Sequence, residues 1–219
     1  MEFIVSGFVS GFVSTLVSHP LEFLKVNYQI QNRSSLNFSR GIIINPCVYG
    51  LHYSIYLPMY NYCKKNQLDS FSSAFIAQNI SNLILNPLWA IRTQRMVFDN
   101  YQSFNLKNVL LGYKKSAVPN LLIGLQTGIT WNIHEYLVHN GIETTFSAGF
   151  AKTVAILLTY PVDTYRTRIR LDVRYTLLDF IKSNTLKNYY SGISFYLLKS
   201  VPSFMIMNYI SLLLLNNNK

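Results

Sequence analysis

The segments HPLEFLKVNYQ (19–29), NPLWAIRTQRM (86–96) and YPVDTYRTRIR (160–170) superpose on Pro20, Pro87 and Pro161, and each closes a long apolar run. Two residues after each proline stands Glu22, Trp89 or Asp163, and five residues after it Lys25, Arg92 or Arg166. The prolines lie 67 and 74 residues apart, so the unit is longer than one helix and recurs along the whole chain. A period of that size constrains the fold more than any local propensity, because every copy must take an equivalent place in one architecture. One such ending is explained by an interfacial anchor whose basic head snorkels to water. Three endings in one register need a shared structural cause.

A second register runs alongside the first. SRG (39–41), YKK (113–115) and YSG (190–192) are each followed seven residues on by Val48, Leu122 or Lys199, and thirteen beyond that by Asn61, Glu135 or Leu212. Six stretches, near 2–24, 44–64, 70–92, 116–138, 145–168 and 193–215, have the length of about 20 residues that a helix needs to cross a bilayer. Half the residues are hydrophobic and 13% are charged. A soluble all-α protein is the alternative, but so little charge leaves too little polar surface for six long helices. Ser, Thr, Asn and Gln within the spans are tolerated where they face a bundle interior or a wet cavity. The expected fold is an all-α membrane protein: six transmembrane helices in three pseudo-symmetric two-helix repeats, approximately 1–66, 67–141 and 142–219, around a central cavity. Parallel repeats of this kind are related by an axis along the membrane normal. SFNLKNVLLGYKK (103–115) and DVRYTLLDFIKSNTLKNYY (172–190) read as short interfacial helices.

The net charge of +10 gathers around 92–95, 107–115, 166–174 and 182–187, which fits a positive-inside pattern and attracts anionic lipid heads or an anionic solute. The N-terminal run has no basic n-region and Glu2 as its only early charge, so it reads as a retained helix rather than a signal peptide. Cys47 and Cys63 make no disulfide framework. In the first helix Gly11, Thr15, Ser18, Glu22 and Lys25 share a face, opposite Phe3, Phe8, Phe12 and Leu16. A proline within a helix bends it. Three bends would swing three charged ends to a common axis, where the acid of one helix meets the base of the next. Pairing is needed there, since a lone charge at membrane depth costs about 2.5–3.5 kcal/mol on insertion scales.

Proline, x, acid, x, x, base, present in full twice and a third time with Trp89 in the acid's place, resembles the mitochondrial carrier family, and the register covers nearly the whole chain. The chain is shorter than is usual there, with the shortening in the loops. Its richness in Asn, Tyr, Ile and Lys resembles the product of an AT-rich genome, such as a carrier encoded by a giant virus. The resemblance implies a gate in which Glu22 pairs with Arg92 and Asp163 with Lys25. Trp89 occupies the third acid position, which leaves Arg166 without its expected partner. Gln29 matches a glutamine brace beneath the gate, while Met96 and Arg170 depart from it. A second gate would end the even helices at YNYCK (60–64), HEYLV (134–138) and SLLLL (211–215). Only Lys64 and Glu135 keep its charges, each expected without its usual partner, so that gate is expected to close weakly.

The family's substrate positions fall on Val48 with Tyr49, Leu122 with Ile123, and Lys199. The apolar pair Leu122–Ile123 resembles that of adenine-nucleotide carriers. By position alone, Lys152 matches Gly11 and Gln78 nine residues before each proline, and with Asn82 it is expected to face the cavity. Cations and amides in a wet cavity suit a polyanion. The expected function is exchange of anionic metabolites, most favourably (deoxy)nucleotides such as dATP and ADP, by alternating access. Carriage of another anion, or a carrier-derived protein that no longer transports, are the alternatives. The resemblance further implies a multi-pass protein of the mitochondrial inner membrane (a host cell's, if virus-encoded), working as a monomer with cardiolipin on its matrix side.

Other chemistry is disfavoured. HEYLVH (134–139) spaces its histidines five apart, where a helical metal pair needs four, so no metal site is expected. RTRIRLDVR (166–174) offers no aromatic stacking platform, so no nucleic-acid partner is expected. Neither a phosphate-binding glycine loop nor a nucleophile–base arrangement occurs, and no enzyme activity or cofactor is expected. GFVSG (7–11) is a small-xxx-small helix contact.

Overall fold

The computed structural model describes residues 2–30, 38–97, 106–171, 175–183 and 185–216. Eight helices follow in order: α1 (Glu2–Gln29), α2 (Ile44–Lys65), α3 (Ser70–Val97), α4 (Leu106–His139), α5 (Thr144–Leu171), α6 (Leu177–Ser183), α7 (Leu186–Tyr189) and α8 (Ile193–Asn216). No strand occurs among the described residues. The six long helices close a ring, each packing on the next from α1 through α5 to α8, which returns to α1. Inside that ring α1, α3 and α5 also touch pairwise, although none neighbours another around it. The chain therefore brings its three proline-bearing endings together. Pro20, Pro87 and Pro161 each sit within an unbroken helix that continues past the proline.

The repeat is visible in the turns. Asn66 and Asn140, 74 residues apart, each donate through Nδ2 to a carbonyl four residues back, on Tyr62 and Tyr136. Gln67 and Gly141 then take left-handed backbone conformations (φ 63° and 82°). Asp69 and Glu143 accept from backbone N–H groups of the following helices, Ser72 at 3.0 Å and Thr145 at 3.3 Å. Such acids cap free N–H groups and complement the helix dipole. The hydrogen bonds from Ser72 hold the exposed Asp69 carboxyl below its ordinary value.

The segments expected as interfacial helices at 103–115 and 172–190 fold differently, and one residue explains it. Gly41 and Gly192, the last residues of SRG and YSG, have φ of 72° and 81°, a region that side chains disfavour. These glycines end the preceding segment and let α2 and α8 start afresh. In the second repeat Lys115 stands in that place, and the helix runs straight through it. The expected separate helix at 103–115 is thus corrected: 106–115 belong to the 34-residue α4, and 103–105 lie outside the described residues. In the third repeat the segment folds as α6 and α7, with 172–174 and 184 outside the described residues. Thr176 and Asp179 form a reciprocal cap at the start of α6, which holds the Asp179 carboxyl below its usual value.

The packing is inverted relative to a soluble core. Glu22, Lys25, Arg92, Asp163, Asn45, Asn82 and Lys199 are buried, whereas Val9, Val17, Leu83, Ile84, Leu158 and Leu198 are exposed. By length and composition one described helix, Ile4–Gln29, qualifies as a membrane span. The other long helices carry inward-facing amides, hydroxyls and charges that lower their mean hydropathy, so the expectation of six spans rests on length and on the outward apolar faces. Gly7 and Gly11 of α1 lie against the backbone of α2: an added Cβ would come within 2.6 Å of the Tyr53 carbonyl oxygen and 2.7 Å of that of Tyr49. Close approach of backbones is what small-xxx-small spacing permits. Gly11→Val is therefore expected to lower the stability of the purified protein by about 1–3 kcal/mol in detergent unfolding curves. The outward Val17→Ala is expected to change it by less than about 0.5 kcal/mol.

Candidate functional site

Within α1 and α5 the acid and the base are three residues apart, as are Trp89 and Arg92 in α3, so each pair shares a face. Contact between α1, α3 and α5 turns those faces toward one another. Glu22 Oε1 accepts from Arg92 Nη2, and Lys25 Nζ lies 2.6 Å from Asp163 Oδ2. The remaining oxygens are also taken. Lys199 Nζ of α8 lies 2.7 Å from Glu22 Oε2, and Arg166 Nη2 lies 2.6 Å from Asp163 Oδ1 within α5. Glu22 and Asp163 are thus each shared by two cations at 2% and 1% exposure. Arg166, expected without a partner, turns back onto the acid of its own helix because position 89 offers no carboxylate. Gln29 lies beneath: its Nε2 donates to Asp163 Oδ2 at 3.1 Å, and its Oε1 accepts from Thr167 Oγ1 at 2.8 Å. Met96 packs against Phe23 and Val26, while Arg170 donates to the side chains of Asn86 and Asn120.

A chain of hydrogen bonds behind Arg92 was not anticipated. His19 Nε2 faces two carbonyl oxygens, Phe38 at 3.0 Å and Arg40 at 3.1 Å, so it carries the proton. Nδ1 then accepts from Asn45 Nδ2 at 3.0 Å, which aims Asn45 Oδ1 at Arg92 Nε. The equivalent of His19 in the third repeat, Tyr160, donates to the carbonyl of Ser191 at 2.7 Å. Arg40 and Ser191 are themselves equivalent in the second register. The signal was present: a polar side chain, His19, Asn86 or Tyr160, precedes each proline.

Above the ion pairs lies a cavity of about 140 Å³. Tyr49, Asn82, Ile123, Lys152 and Lys199 line it, together with Glu22, Lys25, Arg92, Asp163 and Arg166. Two expected substrate positions are off its wall. Val48 is buried against Leu85 and Trp89, and Leu122 is turned outward at 41% exposure. Successive helical residues diverge by about 100°, so only one of each adjacent pair faces inward. Lys199 also donates to Tyr49 Oη at 2.9 Å. Lys152 has no hydrogen bond or ion pair among the described residues, and its Nζ lies 5.5 Å from the Phe204 ring centroid. Phe204 packs edge-on to Trp131, which is stacked on Tyr60, so rings bridge α8, α4 and α2.

At the ends of α2 and α4, Lys64 and Glu135 correct their expectation as unpartnered groups. They pair with each other at 3.4 Å, and Lys64 Nζ also donates to Ser70 Oγ at 2.8 Å. Ser70 begins α3, the helix that packs between α2 and α4, so it draws both ends within reach. Both partners are substantially exposed, so the pair contributes little. Leu212 lies among residues whose side chains are not described. Among the described residues no cluster of His, Cys, Asp and Glu could hold a metal ion.

A family model described as "Mitochondrial carrier protein" matches residues 1–56. The mitochondrial nicotinamide adenine dinucleotide transporter 1 of Saccharomyces cerevisiae is 24% identical over 269 aligned positions, covering 91% of this chain and 72% of that protein. The mitochondrial FAD carrier protein FLX1 of the same yeast is 21% identical, covering 91% of each.

The contrast between the two charged ends is open to measurement. Asp163→Asn strands the buried Lys25 and the partly buried Arg166 and is expected to destabilise the protein by about 3–5 kcal/mol in thermal or denaturant unfolding. Glu135→Gln removes an exposed partner and is expected to change stability by at most about 1 kcal/mol.

Proposed function

We infer that this chain, which belongs to the mitochondrial carrier family, exchanges anionic nucleotides across a membrane by alternating access. Its six long helices are the spans, arranged as three two-helix repeats about an axis along the membrane normal. The observation that carries this reading is the shared carboxylate of Glu22, held at once by Arg92 and by the cavity-lining Lys199. An incoming phosphate competes for Lys199 as a point charge. Glu22 then keeps Arg92 alone, and the closed end loosens as substrate binds. Lys25 with Asp163, Arg166 and the Gln29 brace form the rest of that gate. Lys64 and Glu135 close the opposite end weakly.

Lys152, with no hydrogen bond or ion pair among the described residues, supplies a second positive charge to the cavity. Tyr49, Ile123 and Asn82 complete the substrate contacts. The cavity of about 140 Å³ is small beside typical ligand sites of roughly 300–1,000 Å³, so it has to widen as a nucleotide loads. Two of the similar yeast proteins are named for adenine dinucleotides, which supports a nucleotide over a small organic acid. The setting is the mitochondrial inner membrane, with the protein acting as a monomer and anionic lipid, cardiolipin, bound on the basic side.

Liposomes containing the protein and loaded with ADP, dATP, NAD or FAD test this directly. Labelled nucleotide is expected to enter only against an internal counter-substrate, and Lys199→Ala is expected to reduce exchange at least about tenfold, the scale of one lost charged hydrogen bond. Uptake into empty vesicles would argue against exchange. Undiminished exchange in Lys199→Ala would remove Lys199 from the site.

A further inference from the structure

Besides Arg166 Nε and Arg170 Nε of α5, four side-chain nitrogens of cavity-lining residues have no hydrogen-bond partner among the described residues: Trp89 Nε1, His52 Nδ1, Asn82 Nδ2 and Gln126 Nε2. All four residues are at most 7% exposed. A buried donor without an acceptor is unfavourable, and the indole N–H is a donor in every assignment. Acceptors supplied by a bound molecule would satisfy these groups together. These nitrogens belong to three consecutive helices, α2, α3 and α4, so they ring one side of the cavity.

Their surroundings fit a flat molecule. Trp89 meets Tyr49 edge-on, with centroids 4.9 Å apart, and His52 at 5.7 Å and 65°. No aromatic ring lies parallel to the indole among the described residues. The Arg92 guanidinium carbon is 5.1 Å from its centroid. Val48 and Leu85 pack against Trp89, so a purely structural role has to be weighed. Leucine or phenylalanine would fill that contact equally well without bringing a buried N–H to a polar cavity. Trp89 also stands where the other repeats carry Glu22 and Asp163, so this repeat has lost its gate acid and gained a ring.

We propose that Trp89, with His52, Asn82 and Gln126, forms a subsite for the planar, acceptor-bearing heteroaromatic ring of the transported nucleotide. The phosphates then lie toward Lys199 and Lys152. A nucleobase presents ring nitrogens and carbonyl oxygens in the plane of a stackable ring, which a sugar phosphate or carboxylic acid does not. The subsite rests on the reading of the cavity as a nucleotide carrier's.

The chain has two tryptophans, so Trp131→Phe leaves Trp89 as the sole indole reporter. In that purified protein, ADP or NAD is expected to quench Trp89 fluorescence. Inorganic pyrophosphate is expected to compete with the nucleotide while causing no quenching itself. Trp89→Leu is expected to weaken nucleotide binding about tenfold or more, the scale of one base–aromatic stack, with pyrophosphate binding unchanged. Nucleotide that binds in competition with pyrophosphate yet leaves Trp89 fluorescence unchanged would overturn the subsite and leave the carrier reading standing. If neither nucleotide nor pyrophosphate binds, both fall. The fluorescence titration retains Trp89, so a folding defect in Trp89→Leu does not affect it.

Discussion

Two carboxylates buried at one end of a helix ring organise the molecule. Glu22 and Asp163 are out of water, and each is tolerable only because two cations share it. Those cations come from α1, α3, α5 and α8, so neutralising two acids locks four helices together. The arrangement is intrinsically conditional. Anything that removes one cation leaves a buried charge half-compensated, and the helices lose a reason to stay closed. A polar interior that depends on paired charges is a poor device for maximal stability and a good one for switching.

The two ends are closed by different physics. One end has desolvated ion pairs braced by Gln29 and aligned by the His19–Asn45 chain. The other has, among the described residues, one exposed ion pair and a bridge of packed rings from Tyr60 through Trp131 to Phe204. Aromatic contacts are non-polar, little affected by an anion, and easily parted by rotation of a few side chains. Ion pairs respond to an anion directly.

Much of the fold was legible in the sequence because its strongest signal was long-range. Three copies of proline followed five residues on by a base, two of them with the intervening acid, pointed to three equivalent helix ends, and the family resemblance implied the pairing of Glu22 with Arg92 and of Lys25 with Asp163. Adjacent-residue pairs were the weak point. Val48 and Leu122 were placed on the wall beside Tyr49 and Ile123, although a helix turns one of each pair away. Lys64 and Glu135 were separated because the scheme assigned partners by symmetry, whereas Ser70 at the head of α3 brings them together. The long α4 was misread as two pieces, since a lysine in place of glycine looks unremarkable in sequence but removes the left-handed turn. His19 and Asn45 were missed because each is an ordinary polar residue until the fold brings together side chains 26 positions apart.

The central claim is that the ion-paired end is shut while the cavity is empty and opens when it is filled. Accessibility of a single cysteine at Ser18, a cavity-lining position one turn before Glu22, measures this most directly in reconstituted vesicles with Cys47 and Cys63 replaced by serine. Without nucleotide, a membrane-impermeant thiol reagent should label the site only from the face that carries Lys64 and Glu135. Nucleotide on that face should make it reactive from the ion-paired face as well. Labelling from the ion-paired face in the absence of nucleotide, or none from that face after loading, would contradict the account.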